Sequence, residues 1–352
     1  MLFNLFDCKV IIQEDFHNII IINISLYLNR MKKIVFIVGG AGYIGSHMAK
    51  HADLAGYDIV VLDNLSTGHE DAVKYGKFEF CDIKNKESLD VLFKKYQPDA
   101  VMHFSAYSIV GESVVDPYKY YENNVSGTLN LLKIMLDNQC NKIIFSSTAA
   151  VFGNPEYTPI DEEHIKKPIN PYGRSKLMAE QILEDFDKAY DLKYLVFRYF
   201  NAAGHDASGE LSERHDPETH LLPLIMQAAR GDRENISIFG TDYNTEDGTC
   251  IRDYIHVDDL CAAHLNGLNM LFNPENKISS NDFNLGNGSG FSVKEVISKV
   301  KILTSKDFVV LEKDRRSGDP AVLIASNIKA SKTLNFTPDK SKIEDIIKSL
   351  ID

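Results

Sequence analysis

Hydrophobic positions along the chain follow two alternating patterns. A nearly unbroken apolar, β-branched run at 34–38 predicts a strand covered on both faces, and a stretch of helical character follows at 46–54. The same alternation continues to about residue 200, with predicted strands at 59–62, 78–81, 100–104, 142–145 and 194–197 and predicted helices at 125–136 and 175–189. Repeated β-α alternation with short connections predicts a doubly wound parallel sheet with helices on both faces, which is an α/β fold.

The pattern changes beyond residue 200. Gly-, Asp-, Asn- and Ser-rich stretches at 204–219, 240–250 and 273–290 predict loops, and helical stretches are predicted near 221–230, 257–272 and 292–304. Because binding residues concentrate on loops held by a scaffold, we expect a smaller α/β substrate-binding lobe here. The predicted organisation is a sheet domain at 31–200 and the lobe at 201–352, with some lobe segments returning to the first domain.

Residues 1–30 form an N-terminal extension of unknown role. Their apolar run is too short to span a bilayer, and acidic residues precede it where a signal peptide carries positive charge. We therefore predict no membrane association, and Met31 is an alternative start of the protein.

Composition restricts the function further. The 352 residues include 44% hydrophobic and 25% charged ones, which is enough for a buried core, and 38 basic against 50 acidic residues give a net charge of −12. That balance argues against a protein that binds nucleic acid or an anionic membrane, because both functions need a basic surface. The five cysteines form no CxxC pair and show no metal-ligand spacing, so we predict a reduced cytoplasmic protein without a metal site.

A glycine cluster marks a candidate phosphate site. Gly39, Gly42 and Gly45 lie between the first predicted strand and the first helix, where glycine lets a pyrophosphate approach a helix N-terminus. Asp63 ends the second strand about twenty residues further on. A carboxylate there accepts hydrogen bonds from an adenosine ribose and repels a 2′-phosphate, so NAD is predicted in preference to NADP.

A tyrosine and a lysine supply candidate chemistry. Tyr172 and Lys176 are four residues apart at the start of a predicted helix, which places both on one face. A neighbouring ammonium favours the phenolate, and a nicotinamide cation would favour it further. Ser146, Ser147 and Thr148 follow the predicted strand at 142–145, at the sheet edge where ligands bind. A hydroxyl there can share the substrate oxygen that Tyr172 deprotonates.

The GxxGxxG spacing, the hydroxyl cluster and the YxxxK unit, in this order, resemble the extended short-chain dehydrogenase/reductase superfamily, whose fold is of the Rossmann type. Val38 stands where that superfamily usually has threonine. The resemblance implies that Thr148 supplies the hydroxyl, that Tyr172 is the base, and that Lys176 contacts the ribose and tunes Tyr172.

From about residue 33 to 350 the chain resembles the UDP-glucose 4-epimerase family more closely. The resemblance rests on residues 39–47, 110–113, 123–125, 198–201, 245–257 and 315–319. It implies an NAD site formed by Gly39, Gly42, Tyr43, Ile44, Gly45, Asp63, Asn64, Asp82, Ile83, Phe104, Ser105, Asn123, Tyr172 and Lys176. It also implies a UDP-sugar site formed by Thr148, Tyr172, Asn201, Leu221, Phe239, Arg252, Arg316 and Asp319. Ser108 stands where some family members place a lysine that touches the cofactor.

The resemblance implies interconversion of UDP-glucose and UDP-galactose through a transient 4-keto sugar, with NAD tightly bound and regenerated in each cycle. Ala149 and Ala150 replace the acid that related 4,6-dehydratases need, which disfavours dehydration. Leu323 lies where the family can block an N-acetyl group, so a UDP-N-acetylglucosamine 4-epimerase stays an alternative, as does a noncatalytic NAD-sensing module. By analogy with the family we expect a homodimer formed by the helices around 125–136 and 175–189.

Overall fold

A computed structural model describes residues 32–273, 275, 280–316 and 319–351. The N-terminal extension at 1–30, together with Ser317 and Gly318 of the 315–319 motif, lies outside the described residues. In chain order the strands are β1 (Ile34–Val38), β2 (Asp58–Asp63), β3 (Lys77–Phe80), β4 (Ala100–His103), β5 (Lys142–Thr148), β6 (Lys193–Tyr199), β7 (Asn201–Ala203), β8 (Asn235–Phe239), β9 (Ile251–His256), β10 (Ser280–Leu285), β11 (Gly290–Ser292), β12 (Val309–Lys313) and β13 (Val322–Leu323).

The α-helices connect these strands. In chain order they are α1 (Tyr43–Leu54), α2 (Lys86–Tyr96), α3 (Val110–Val115), α4 (Pro117–Tyr120), α5 (Thr128–Asp137), α6 (Pro171–Tyr190), α7 (Leu221–Arg230), α8 (Val257–Phe272), α9 (Val293–Thr304), α10 (Ile328–Leu334) and α11 (Ile343–Ser349). A π-helical segment, Tyr121–Gly127, joins α4 to α5. Within the described ranges, no helix has both the length and the apolar character that crossing a membrane requires.

Seven parallel strands form the large sheet, in the order β10-β6-β5-β4-β1-β2-β3. Successive side chains of a strand point to opposite faces, and the two faces of β1 are both buried. Val35 and Ile37 pack in a core with α1, α8 and α10. Phe36 and Val38 pack in a second core with α2, α5 and α6. Helices therefore cover both faces, and the predicted doubly wound, Rossmann-type α/β class is confirmed.

A smaller set of elements follows β6. Strand β9 pairs with β7, β11 and β13, and β8 pairs with β12. Helices α7, α9 and α11 pack with these strands around a separate apolar core. Helix α8 and strand β10, in contrast, belong to the large sheet and its helical layer.

Three predicted boundaries need correction. Helix α1 begins at Tyr43 rather than at residue 46, directly after the glycine turn. Strand β5 continues to Thr148, so the hydroxyl cluster lies inside the strand and not after it. Part of the predicted loop at 273–290 is strand β10, which pairs with β6 at the sheet edge.

The β10–β6 pairing explains why a polar segment becomes a strand. Arg198 on β6 is 1% exposed, and its guanidinium lies 2.5 Å from Asp282 of β10 and 2.8 Å from Glu180 of α6. Phe283 and Leu285 fill the core beneath α8. The edge strand is thus held by a buried ion pair and two apolar anchors, and its local sequence alone does not predict it.

Candidate active site

A cavity of about 660 Å³ opens where the strands of the large sheet end. Its walls include Asp63 of β2, Thr148 of β5 and Tyr199 of β6, in agreement with the rule that ligands bind beyond the carboxyl ends of parallel strands. Among the predicted site residues, the cavity is lined by Gly39, Gly42, Tyr43, Ile44, Gly45, Asp63, Asn64, Phe104, Ser105, Asn123, Thr148, Tyr172, Lys176, Asn201 and Arg252. Six others lie outside its lining: Asp82, Ile83, Leu221, Phe239, Arg316 and Asp319.

The glycine turn forms a close-packed cradle between β1 and α1. Gly39 has a φ of +83°, and a Cβ there would lie 2.4 Å from the backbone nitrogen of Ser105. A Cβ on Gly45 would lie 2.2 Å from the carbonyl oxygen of Gly39. Gly42 occupies the position before α1 and offers no side-chain cap to the helix. The N-terminus of α1 therefore lines the cavity without a side-chain cap, which suits a helix that binds a pyrophosphate.

Asp63 is held in place by the backbone. Its two carboxylate oxygens accept hydrogen bonds from the amides of Ala41 (3.0 Å) and Leu65 (2.8 Å). The residue is 9% exposed, and burial raises its pKa against the effect of these bonds. Each oxygen keeps a lone pair for a ribose hydroxyl, so the cradle and the carboxylate both fit a dinucleotide.

The predicted adenine pair lies behind this wall. The Asn64 side-chain amide donates to the Asp82 carboxylate at 3.0 Å, which links Asp82 to the cavity. Ile83 is buried, with its side chain against Gly127 of the π-helical segment. Asn123, from that same segment, is buried and donates to Asn124 at 3.0 Å.

Helix α6 positions the tyrosine and the lysine. Asn170 caps the helix by accepting from the Gly173 amide at 2.8 Å, and Pro171 occupies the first turn, where its missing N–H costs nothing. Tyr172 and Lys176 then lie one turn apart and both line the cavity. The Lys176 ammonium donates to the Ser146 carbonyl at 2.7 Å and lies 4.9 Å from the centre of the Phe145 ring.

Burial and one neighbouring hydroxyl act on the ionisation of Tyr172 in opposite directions. Burial raises the pKa of Tyr172, and a hydrogen bond with Thr148 opposes that rise. Burial also lowers the pKa of Lys176 to about 7, against the opposing charge of Glu180. The effect of the Lys176 ammonium on the phenolate stays a prediction. Thr148 is a second group that favours the phenolate.

Four of the remaining predicted substrate residues form two pairs. Arg252 of β9 donates to Asp319 at 3.1 Å, and its neighbour in the β9–β13 ladder is Leu323. The Arg316 guanidinium lies 3.9 Å from the centre of the Phe239 ring. Leu221, the first residue of α7, is half-buried in the core of the smaller lobe.

Several cavity residues were missed by the sequence analysis. Lys119 lines the wall together with Ser108, and its ammonium lies 4.1 Å from the centre of the Tyr107 ring and is paired with Glu112. This wall thus carries a cation although residue 108 is not lysine. Glu213, His215 and His220, on the loop before α7, also line the cavity. The sequence pattern that could have identified this loop is the presence of two histidines and two glutamates within eight residues.

Comparison with known proteins agrees with this arrangement. Residues 35–286 match the NAD dependent epimerase/dehydratase family. A UDP-glucose 4-epimerase of Halalkalibacterium halodurans is 48% identical over 314 residues, which is 89% of this chain and 93% of that protein. The crystal structure of UDP-glucose 4-epimerase from Brucella ovis in complex with NAD has a TM-score of 0.87 and 47% identity, covering 90% of this chain and 97% of that one. A UDP-Glc/GlcNAc 4-epimerase of Campylobacter jejuni has a TM-score of 0.78 and 43% identity, covering 90% and 97%.

Proposed function

The chain belongs to the NAD dependent epimerase/dehydratase family, and from this membership we propose that it interconverts UDP-glucose and UDP-galactose by inverting C4 of the hexose. Relatives with that activity align along nearly their whole length. The cofactor is NAD, and the enzyme is an isomerase because the hydride removed from the sugar is returned to it.

One observation carries the proposal. Thr148, Tyr172 and Lys176 line the same cavity as the glycine cradle, although they come from β5 and α6 while the cradle joins β1 to α1. A phenol, a hydroxyl that favours its ionised form and a dinucleotide cradle are what reversible oxidation of an alcohol needs. When bound beside these residues, NAD would supply reversible hydride transfer at C4 of the sugar.

The residues of the chain handle the proton. Tyr172 removes the C4 hydroxyl proton as the C4–H bond breaks, which leaves a 4-keto sugar, and it returns that proton once the sugar has turned over. Thr148 shares the substrate oxygen and favours the Tyr172 phenolate. Lys176 donates to the Ser146 carbonyl, and we assign the cofactor ribose to it as well.

The nucleotide holds the sugar during this rotation. We assign the diphosphate to Arg252 and Arg316, since an arginine fork matches phosphate oxygens bidentately, with Asn201 and Leu221 as further contacts. Phe239 and Asp319 complete the site as the uracil and ribose contacts. Affinity from this remote part leaves the hexose free to turn. The Arg252–Asp319 and Arg316–Phe239 contacts keep these groups together on the small lobe.

The two parts of the fold bind different ligands in this proposal. We assign NAD to residues 31–200 and the UDP-sugar to residues 201–352, with α8 and β10 returning to the large sheet. We also propose a homodimer through α5 and α6, supported by Leu129 and Met178, which are 44% and 42% exposed. Buried free thiols at Cys81, Cys140, Cys250 and Cys261 support a reducing, cytoplasmic location.

The test is conversion of UDP-galactose by the purified protein with no NAD added. We expect formation of UDP-glucose and release of NAD on denaturation, measured by chromatography. A protein that carries no dinucleotide and gains no activity when NAD is supplied would refute the proposal.

A second substrate has a specific observation in its favour. The similar Campylobacter jejuni protein is a UDP-Glc/GlcNAc 4-epimerase, and Leu323 lines the cavity of this chain. We therefore propose that UDP-N-acetylglucosamine is also accepted. Leu323→Tyr narrows the cavity and should reduce turnover of UDP-N-acetylglucosamine more than that of UDP-galactose. If the ratio of the two turnover rates is the same in the wild type and the variant, Leu323 does not control substrate size.

A further inference from the structure

Four potential metal ligands converge on the loop that precedes α7. Glu213, His215, Glu218 and His220 each place one ligand atom so that all four atoms lie within 4.8 Å of one another. His220 Nδ1 lies 2.8 Å from Glu213 and 2.9 Å from Glu218, and His215 Nδ1 lies 3.1 Å from Glu213. The two imidazole rings are 4.9 Å apart.

The carboxylates of this cluster are withdrawn from solvent. The side chain of Glu213 is 1% exposed and that of Glu218 is 8% exposed. Among the described residues, no hydrogen-bond donor reaches Glu213 Oε2, which is buried. A buried carboxylate oxygen without a partner is costly in free energy, so the site calls for a further positive group.

We propose that Glu213, His215, Glu218 and His220 bind one divalent transition-metal ion of the zinc type. Two imidazoles and two carboxylates are borderline ligands that suit such ions better than Mg²⁺ or Ca²⁺, which prefer oxygen ligands alone. Four protein ligands complete a tetrahedral shell and leave no open position, which is the arrangement of structural sites.

Side-chain rotation alone can bring the four ligand atoms to the spacing of a tetrahedral shell. Metal–ligand bonds of about 2.0–2.1 Å in a tetrahedron separate neighbouring ligand atoms by about 3.3 Å. The three hydrogen-bonded pairs of the cluster are now 2.8–3.1 Å apart and must separate by a few tenths of an ångström. The other pairs of ligand atoms lie within 4.8 Å of one another, so they must close by at most about 1.5 Å, which side-chain rotation can supply. The ion's two positive charges would match two buried carboxylates once both imidazoles are neutral.

A protonated His220 is the competing arrangement. Burial lowers the pKa of His220, but hydrogen bonds from it to Glu213 and Glu218 outweigh this and raise the pKa to about 10. An imidazolium supplies only one positive charge to two carboxylates, and it leaves Glu213 Oε2 without a donor. The experiment must therefore distinguish a bound metal from a bound proton.

The site would hold part of the cavity wall. Glu213, His215 and His220 line the main cavity, and the His215 ring packs at 6.3 Å, centre to centre, against Tyr43 at the start of α1. A metal joining the two ends of the 213–220 segment would fix this wall against Tyr43, which directly follows the glycine cradle. Its role is structural, and it is independent of the assignment of the substrate.

Metal content of the untagged full-length protein tests the proposal. Elemental analysis after dialysis is expected to give close to one zinc-type ion per chain. If chelation removes it, titration with Co²⁺ should produce the visible absorption of a tetrahedral nitrogen–oxygen site, and Zn²⁺ should abolish that absorption by displacement. Neither assay depends on epimerase activity.

Matched variants identify the site. His215→Asn and Glu213→Gln each remove one ligand and should weaken Co²⁺ binding more than about 100-fold, beyond the 10- to 100-fold typical of groups that only support ligands. His51→Asn is the control, because His51 also pairs with a buried carboxylate, Asp258, at 3.0 Å but lies outside the cluster. It should bind as the wild type does, and circular dichroism shows whether each variant is folded. Absence of metal from the wild type together with no Co²⁺ absorption would overturn the proposal, as would equal binding in the folded ligand variants and the control.

Discussion

Thr148 provides a quantitative test of how the chain controls its base. Its hydroxyl favours the ionised form of Tyr172 and also accepts the Ala150 amide hydrogen at 3.1 Å. Thr148→Val keeps the shape and the strand preference of the side chain and removes the hydroxyl. A hydrogen bond to a charged group contributes about 1.5–3 kcal/mol, and one pKa unit corresponds to about 1.4 kcal/mol. The pKa of Tyr172 should therefore rise by about 1–2 units.

The direction of the pH shift depends on which form of Tyr172 is active. Tyr172 must be ionised to accept the proton, so activity rises with pH as the phenol ionises, and a higher pKa moves this rise to higher pH. In Thr148→Val, kcat/KM below the pKa should fall about 10- to 100-fold and should recover as the pH increases. Loss of the Ala150 contact alone would lower the rate at every pH without moving the profile.

The assay is the pH profile of kcat/KM for UDP-galactose, measured for wild type, Thr148→Val and Thr148→Ser. The serine variant keeps the hydroxyl and should retain the wild-type midpoint. An unshifted midpoint in the valine variant, or an equal shift in both variants, would refute the role given to Thr148.

Three further predictions concern the base, the cradle and the core. Tyr172→Phe should lower kcat by about 10²- to 10⁴-fold while calorimetry shows unchanged UDP binding; normal turnover would contradict the assignment. Gly45→Ala places a methyl group 2.2 Å from the Gly39 carbonyl and should reduce the NAD retained by the purified protein, whereas Gly111→Ala, with open space around the new methyl, should not. Glu180→Gln should lower the unfolding free energy by about 2–3 kcal/mol, measured by denaturant titration. This is less than the ~3–5 kcal/mol lost when an isolated buried ion pair is broken, because Asp282 still contacts Arg198. Glu184→Gln, which breaks an exposed pair with Lys188 on the same helix, should cost under about 0.5 kcal/mol, and equal losses would contradict the argument.

The parts of the site that depend on local sequence could be predicted. A strand, a glycine turn and a helix follow one another within 34–54, and Tyr172 and Lys176 share one face of α6, so chain spacing alone brings each set together. The residue types at these positions also indicate the chemistry of the site without knowledge of the fold.

The parts that depend on distant contacts could not be predicted in the same way. Strand β10 is polar where β6 meets it, and its pairing depends on the Arg198–Asp282 contact across 84 positions of the chain. Ser147 is polar yet lies within β5, because Glu180 of α6 accepts its hydrogen bond at 2.5 Å. Periodicity treats such residues as loop, since it contains no information about the partner that satisfies them. The pKa of Lys176 likewise depends on burial that only the folded chain creates.

Following a deuterium label at C4 tests the central claim most directly. In the proposed reaction, the C4 hydrogen leaves the sugar and returns to the same carbon within one cavity. UDP-galactose labelled with deuterium at C4 should therefore give UDP-glucose that retains the label at C4, with none in the solvent and none in added free NAD. Loss of the label to water or to the free cofactor would contradict the account.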